Sequence, residues 1–305
     1  VVSHNIPQKF QPYLHIGTCS WKYDSWKGLV YDPSVRYRPG DYLGDYARHF
    51  RTVEVDQWFW SLFPNGIRLP ERQTVASYAG SVPDDFIFTV KAPNSITLTH
   101  FYAKQPKALA SYANRPNEYF LSIDLLERFL DRLSPLGGKL GPIMFQFEYL
   151  NRKKMPSRDA FLERLDEFFN RAPRDFQYAV ETRNPNYLSK EFFGFLKRRR
   201  LGYVFLEGYY MPPIAEVFSQ YDTATADFGV IRLHGGDRKE MEERTGEKWD
   251  HIIEPRDTAL ESAAEIVEEY YRRRIHGFVN VNNHFEGSAP LTIDRFVQVL
   301  NEKTK

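Results

Sequence analysis

Eight short β-rich runs recur along the 305-residue chain, and their spacing restricts its fold more than any other feature. They are His15–Thr18, Thr52–Asp56, Phe86–Lys91, Pro142–Phe147, Gln177–Thr182, Tyr203–Glu207, Gly229–His234 and Gly277–Asn282. Each carries the β-branched or aromatic residues of a buried parallel strand. Between them the apolar residues switch to a helical period. Leu43, Tyr46, Ala47 and Phe50 stand at i, i+3, i+4 and i+7, and Leu126, Phe129, Leu130 and Leu133 repeat the pattern. Further stripes follow Ser157 (Phe161 to Phe169) and Ser189 (Phe192 to Leu196), then run through Leu260–Tyr270 and Phe296–Leu300. Ser157 is an expected N-cap. The second and sixth helices, at Arg72–Ala79 and after Met211-Pro212-Pro213, are the faintest.

Strands alternating with helices in this way predict a single α/β domain over residues 1–305, a TIM-like (β/α)8 barrel. Residues 1–12 are read as an N-terminal extension. A doubly wound open sheet is the competitor, but it would carry a glycine-rich phosphate turn after its first strand. The chain has neither G-x-G-x-x-G nor G-x-x-x-x-G-K-[ST]. Loop lengths support the barrel. Helix-to-strand links such as Gly137–Gly141 and Ala172–Phe176 are short, whereas Trp21–Gly40, Ala92–Glu118 and Gly235–Pro255 are long. Long strand-to-helix loops crowd the C-terminal face, where barrel active sites sit. The highly charged segment 235–255 is read as a lid insert, with a disordered solvated insert as the alternative.

Charge balance narrows the partners. Lys and Arg total 41 against 40 Asp and Glu, a net charge of +1, which excludes a polybasic nucleic-acid coat but leaves room for a local basic groove. Cys19 is the only cysteine, so no internal disulfide forms, and a reducing compartment is expected. Val1–Gln11 lacks the pattern of a signal peptide, and no apolar run is long enough for a membrane span. A cytoplasmic location and no membrane partner are the expectations.

The strands end in chemistry. Strand two ends Glu54-Val55-Asp56, three at Lys91, four at Gln146, five Glu181-Thr182-Arg183, six at Glu207, seven Arg232-Leu233-His234, and eight Asn282-Asn283-His284. Two-residue alternation puts Glu54 with Asp56, Glu181 with Arg183, Arg232 with His234, and Asn282 with His284 on common faces. Charge inside a sheet is costly unless paired or solvated, so the set reads as a polar pocket at the barrel mouth or as a structural ion-pair network. Trp21, Tyr23 and Trp26 follow strand one, and Trp58, Phe59 and Trp60 follow strand two. Tryptophan faces stack on sugars and nucleobases; the competing reading is that these rings seal the loop layer.

The strand-end motifs together resemble the DUF72 (YecE-like) family, a TIM-barrel family whose biochemical role is not established. The resemblance covers nearly the whole chain. It rests on Gly17-Thr18-Cys19-Ser20-Trp21-Lys22-Tyr23 with Trp26 and Gly28, on Thr52-Val53-Glu54-Val55, and on Phe88-Thr89-Val90-Lys91-Ala92-Pro93. It continues through Gly141-Pro142 with Phe145-Gln146, Glu181-Thr182-Arg183, Arg232-Leu233-His234-Gly235, and Asn282-Asn283-His284 with Gly287 and Pro290. The departures include Cys19-Ser20 in place of the family's Ser-Gly, Asp56 in place of an Asn, and Asn184 and Tyr187 after Arg183.

Lys91, Glu181, Glu207 and His234 are the expected catalytic groups. Glu181 and Glu207 would divide acid and base roles, and His234 would shuttle a proton. Trp21, Tyr23, Trp26, Glu54, Asp56, Gln146, Arg183, Arg232, Asn282, Asn283 and His284 are the expected substrate-binding set, with Arg183, Arg232 and Lys91 on an anionic group. The leading expectation is an enzyme, a hydrolase or an isomerase/lyase, acting on a sugar, sugar phosphate or nucleotide. A nucleic-acid-binding or repair-nuclease-like barrel and a non-catalytic ligand-binding barrel are the alternatives. No cofactor is expected. A divalent metal on Glu54, Glu181, Glu207, His234 or His284 is the lesser expectation, because Lys91, Arg183 and Arg232 would repel a cation.

Overall fold

Eight parallel strands close on themselves in the computed structural model, which describes residues 5–304. In chain order the barrel strands are β1 (Leu14–Cys19), β2 (Thr52–Val55), β3 (Ile87–Lys91) and β4 (Leu140–Phe147). They continue as β5 (Tyr178–Thr182), β6 (Gly202–Gly208), β7 (Phe228–Gly235) and β8 (His276–Val281). Each strand pairs with its sequence neighbours, and β1 pairs with β8 to close the ring. The (β/α)8 expectation is met strand for strand. Residues 1–4 of the expected extension lie outside the described residues.

The helices form where the apolar stripes fall. Ser157 caps Arg158–Arg171 by accepting from the Ala160 amide at 3.1 Å, and Ser189 caps Lys190–Arg199 through the Phe192 amide at 3.2 Å. These caps satisfy amides that the first helical turn leaves open. Phe161, Leu165 and Phe168 of the first helix are buried against the barrel, each stabilising it by ~1.5–3 kcal/mol. The two faint helices also form, at Arg72–Gly80 and Ile214–Gln220.

Strand alternation sorts the side chains. Val53, Val55, Phe88, Val90, Phe145, Val180, Ile231 and Leu233 face out and join the main core under the helices. Met144, Ala179, Val204, Phe228, Val230 and Phe278 face in and plug the barrel below its mouth. Asn280 spans the plug by donating to Thr89 Oγ1 at 3.1 Å. At the lower end His15 stacks flat on Phe278, ring centroids 4.7 Å apart, and lies beside His276. Burial, with the charge of His276 adding to it, pushes the His15 imidazole down to about 4.

Segment 235–255 carries a short helix and packs back on the barrel loops. Asp237 caps a helix at Arg238–Thr245, and Gly246 ends it in the left-handed region. Beyond it Trp249 is buried against His284, ring centroids 4.8 Å apart, and its amide donates to Ser25 Oγ at 3.1 Å. The Ile253 amide donates to the Glu286 carbonyl at 2.7 Å. The insert is therefore stitched down onto the loops after β1 and β8.

Candidate functional site

Arg232, facing inward from β7, organises the mouth. It is 1% exposed. Its Nε and Nη2 donate to Glu54 Oε2 and Oε1 at 2.9 and 2.6 Å. Its Nη1 donates to Glu181 Oε2 and to Gln146 Oε1, the latter at 3.1 Å. The other Glu181 oxygen accepts from Arg183 Nε at 3.1 Å. One guanidinium thus braces β2, β4 and β5 from β7. Both glutamates are fully buried, which only such charge-assisted pairing makes tolerable. Burial would lift the Glu181 carboxyl, but Arg232 and then Arg183 hold it below the ordinary carboxylate range.

Lys91 sits differently. It is buried at the end of β3, with its ammonium 3.9 Å from the centre of the Phe59 ring. Among the described residues that ammonium makes no hydrogen bond or ion pair. Burial, and then the charge of Arg232, bring it down to about 8, with Glu54, Glu181 and Asp56 pulling the other way. Asp56 is lifted by burial and then by the Glu54 charge.

His234 and Cys19 complete the inner layer. Cys19 Sγ lies 3.5 Å from Glu54 Oε2 and 3.6 Å from His234 Nε2. Burial first, then Arg232, holds the His234 imidazole well below its usual range, so it is neutral at pH 7. Burial and the Glu54 charge push the Cys19 thiol up. Tyr209 roofs this layer: its hydroxyl is 3.5 Å from His234 Nδ1, and the Arg183 guanidinium lies 4.5 Å from the centre of its ring.

Tyr209 is held there by an unusual turn. Gly208, Tyr209 and Tyr210 all have positive φ, at 126°, 53° and 63°. Gly208 pairs with Gly235 across a register shift, so that Leu233 and Gly235 have partners on β6 and His234 is the residue passed over. Such bulges re-aim side chains beside active sites. A Cβ at Gly208 would collide with the Gly235 carbonyl. Two non-glycine residues in the left-handed region cost about 1–3 kcal/mol each.

Several expected site residues lie elsewhere. Glu207 shares the parity of Tyr203 and Phe205 and so faces outward; its Oε2 accepts from the Ile214 amide at 2.9 Å and caps the helix Ile214–Gln220. It does not join Glu181. Asn283 Oδ1 accepts from the Ala289 amide at 2.9 Å, a structural bond away from the cluster. His284 points to Glu242 of the insert, 3.3 Å from Nε2, and Asn282 accepts from the His284 amide at 3.0 Å. Trp21 and Trp26 are buried, with no exposed face for a ligand: Trp21 packs edge-on against Tyr78, and Trp26 lies against Tyr23 and Tyr31. Tyr23, packed on Trp26, is half-buried; burial, then Asp56, raises its hydroxyl.

The exposed aromatics stand on other loops. Trp60 is 58% exposed, Tyr149 59% and Tyr210 97%, following β2, β4 and β6. Tyr102, from the loop after β3, lies beside Trp60 with ring centroids 6.0 Å apart. Tyr209, Tyr102, Tyr149, Tyr210 and Cys19 were not selected from sequence. Only Cys19 had a signal, its inward parity with Gly17 on β1.

A closed barrel of parallel strands, helices outside and buried charges at the C-terminal ends defines a TIM-type barrel protein. The chain belongs to the family described as "Protein of unknown function DUF72", which matches residues 15–305. It is 26% identical over 178 residues to the UPF0759 protein YecE of Escherichia coli, a match covering 58% of this chain and 51% of that protein. The chain thus spans about half the length of the curated relatives it matches. Among solved structures it is similar to a DUF72 family protein from Thermotoga maritima, with a TM-score of 0.64, 24% identity, and coverage of 95% of this chain and 99% of that one. A DUF72 family protein from Enterococcus faecalis gives 0.59 and 18%, covering 94% and 95%. These likenesses concern the fold. No helix among the described residues is long and apolar enough to cross a membrane.

Proposed function

We propose that the chain is an enzyme acting on a polar, ring-containing substrate, a sugar, sugar phosphate or nucleotide, by acid/base chemistry at the barrel mouth. Lys91 carries this reading. Its ammonium has no hydrogen-bond or ion-pair partner among the described residues, beside an Arg232–Glu54–Glu181 cluster whose charges are paired, which leaves it free to act on a ligand. In this reading Lys91 moves the proton. Arg232, locked by two glutamates, fixes the field around it, and Arg183, at the outer edge, meets an anionic group of the substrate. Trp60 and Tyr102 offer ring faces beside the mouth.

The nucleic-acid reading has less support. Arg199 is paired with Asp166, and Arg273 with Asp222 and Glu269, on helix ends remote from the mouth. A thermal-shift panel of sugars, sugar phosphates, nucleotides and oligonucleotides tests the substrate class. Stabilisation by a small ring-containing ligand is expected, and its absence across the panel would remove the reading. Lys91→Met should then bind that ligand while its turnover falls at least about a hundredfold. Unchanged turnover would take the proton-transfer role away from Lys91, and no turnover by the wild-type protein would leave a binding barrel.

A further inference from the structure

We propose that Cys19, Glu54 and His234 form a site for one borderline-soft divalent cation, of the Zn²⁺ class, at the floor of the mouth. The three ligand atoms come from three strands, β1, β2 and β7, and all lie within 4.8 Å of one another. Two edges of this triangle are resolved: Sγ to Oε2 is 3.5 Å and Sγ to Nε2 is 3.6 Å. Zn–S of about 2.3 Å with Zn–N or Zn–O of about 2.0–2.1 Å at a tetrahedral angle gives edges of roughly 3.5 Å. Two of the three edges already stand at the spacing a tetrahedral ion demands, and the third, Glu54 to His234, lies within 4.8 Å and must shorten as the ion binds. All three residues are at least nine-tenths buried, so their positions are fixed by packing.

The surroundings fit the role of each ligand. Tyr209 stands 3.5 Å from His234 Nδ1, as a partner that takes the Nδ1 proton and leaves the Nε2 lone pair facing Cys19. Glu54 Oε2 accepts from Arg232 Nε on one side and faces Cys19 on the other. The guanidinium is the outer partner of a ligating carboxylate, and its charge is already met by Glu54 and Glu181. Binding breaks the Cys19 S–H bond and forms a metal–thiolate bond; the proton leaves to solvent. That thiolate decides selectivity. Lys91, Arg183 and Arg232 raise the local potential against any cation, and Mg²⁺ gains too little from sulfur to overcome it. The fourth position of the tetrahedron is left for water or a ligand atom. This site is independent of the Lys91 reading, and its test needs no substrate.

Chelator-treated full-length protein titrated with Zn²⁺ against a competing metallochromic dye tests it. One Zn²⁺ per chain is expected, with no competition from Mg²⁺. Cys19→Ser and His234→Gln should each weaken binding by more than about a hundredfold, and Tyr209→Phe by about tenfold or more. Should the first two variants fail to fold, Co²⁺ added to the wild-type protein gives a sulfur-to-cobalt charge-transfer band if Cys19 ligates. No Zn²⁺ bound by the wild type, equal binding by Cys19→Ser, or a Co²⁺ spectrum without that band would each overturn the assignment.

Discussion

The two ends of the barrel interior both hold ionisable side chains, fully buried at the mouth and half-buried below, and they treat charge in opposite ways. At the mouth Arg232, Glu54 and Glu181 are each placed against an opposite charge within hydrogen-bonding reach. At the lower end His15 lies among Phe278 and His276; among the described residues no carboxylate is set against it, and it is kept neutral. The strands are the same eight in both places. The difference teaches that depth alone does not set protonation in this barrel; the partner does.

Removing the partner at the mouth should have the largest effect. Arg232→Met strands two buried carboxylates, and unfolding in urea should report a loss of about 3–5 kcal/mol. Adding Glu54→Gln and Glu181→Gln to that variant should recover a large part of the loss. If the triple variant is no more stable than Arg232→Met, the cluster is not held together by charge pairing. A smaller, pH-dependent effect is expected below. The folded pKa of His15 is depressed, so the unfolded chain takes up the proton first. Its contribution is complete above about pH 6.5 and is lost as pH falls toward 4, about 3 kcal/mol at most. His15→Phe should flatten this part of the stability curve between pH 6.5 and 4, and an identical pH slope in the two proteins would sink the account. The smallest effect belongs to the rim. Trp60→Ala should change stability by less than about 0.5 kcal/mol, while lowering affinity for a ring-containing ligand roughly tenfold. Equal affinity would show that the rim does not stack on the ligand.

The sequence made the strands legible because buried parallel strands are short, apolar and regularly spaced, and all eight formed within a residue or two of expectation. Parity also placed Glu54, Glu181, Arg183, Arg232 and His234 together. Glu207 stands at a strand end, but its parity is outward: Tyr203 and Phe205 join the core under the helices, and Glu207 follows their alternation. The tryptophans went astray for a different reason. Whether a loop aromatic is exposed depends on what settles on top of it, and no local pattern announces that Tyr78 packs on Trp21 or Tyr31 on Trp26. Tyr209 was invisible for the same cause, since its position follows from a bulge and a left-handed turn that only the Gly208–Gly235 approach creates.

Glu54 and Arg232 are 178 residues apart in the chain. At ribosomal rates of about 5–20 residues per second, the carboxylate emerges roughly 10–35 s before the guanidinium it needs. Until then Glu54 cannot be shut away from water without a large penalty, so nascent β1 and β2 have reason to remain open at their C-terminal ends. Pairing at the mouth waits for β7, and closure of the ring for β8 after it. The brace that defines the mouth thus ties the sealing of that end to a late stretch of the chain.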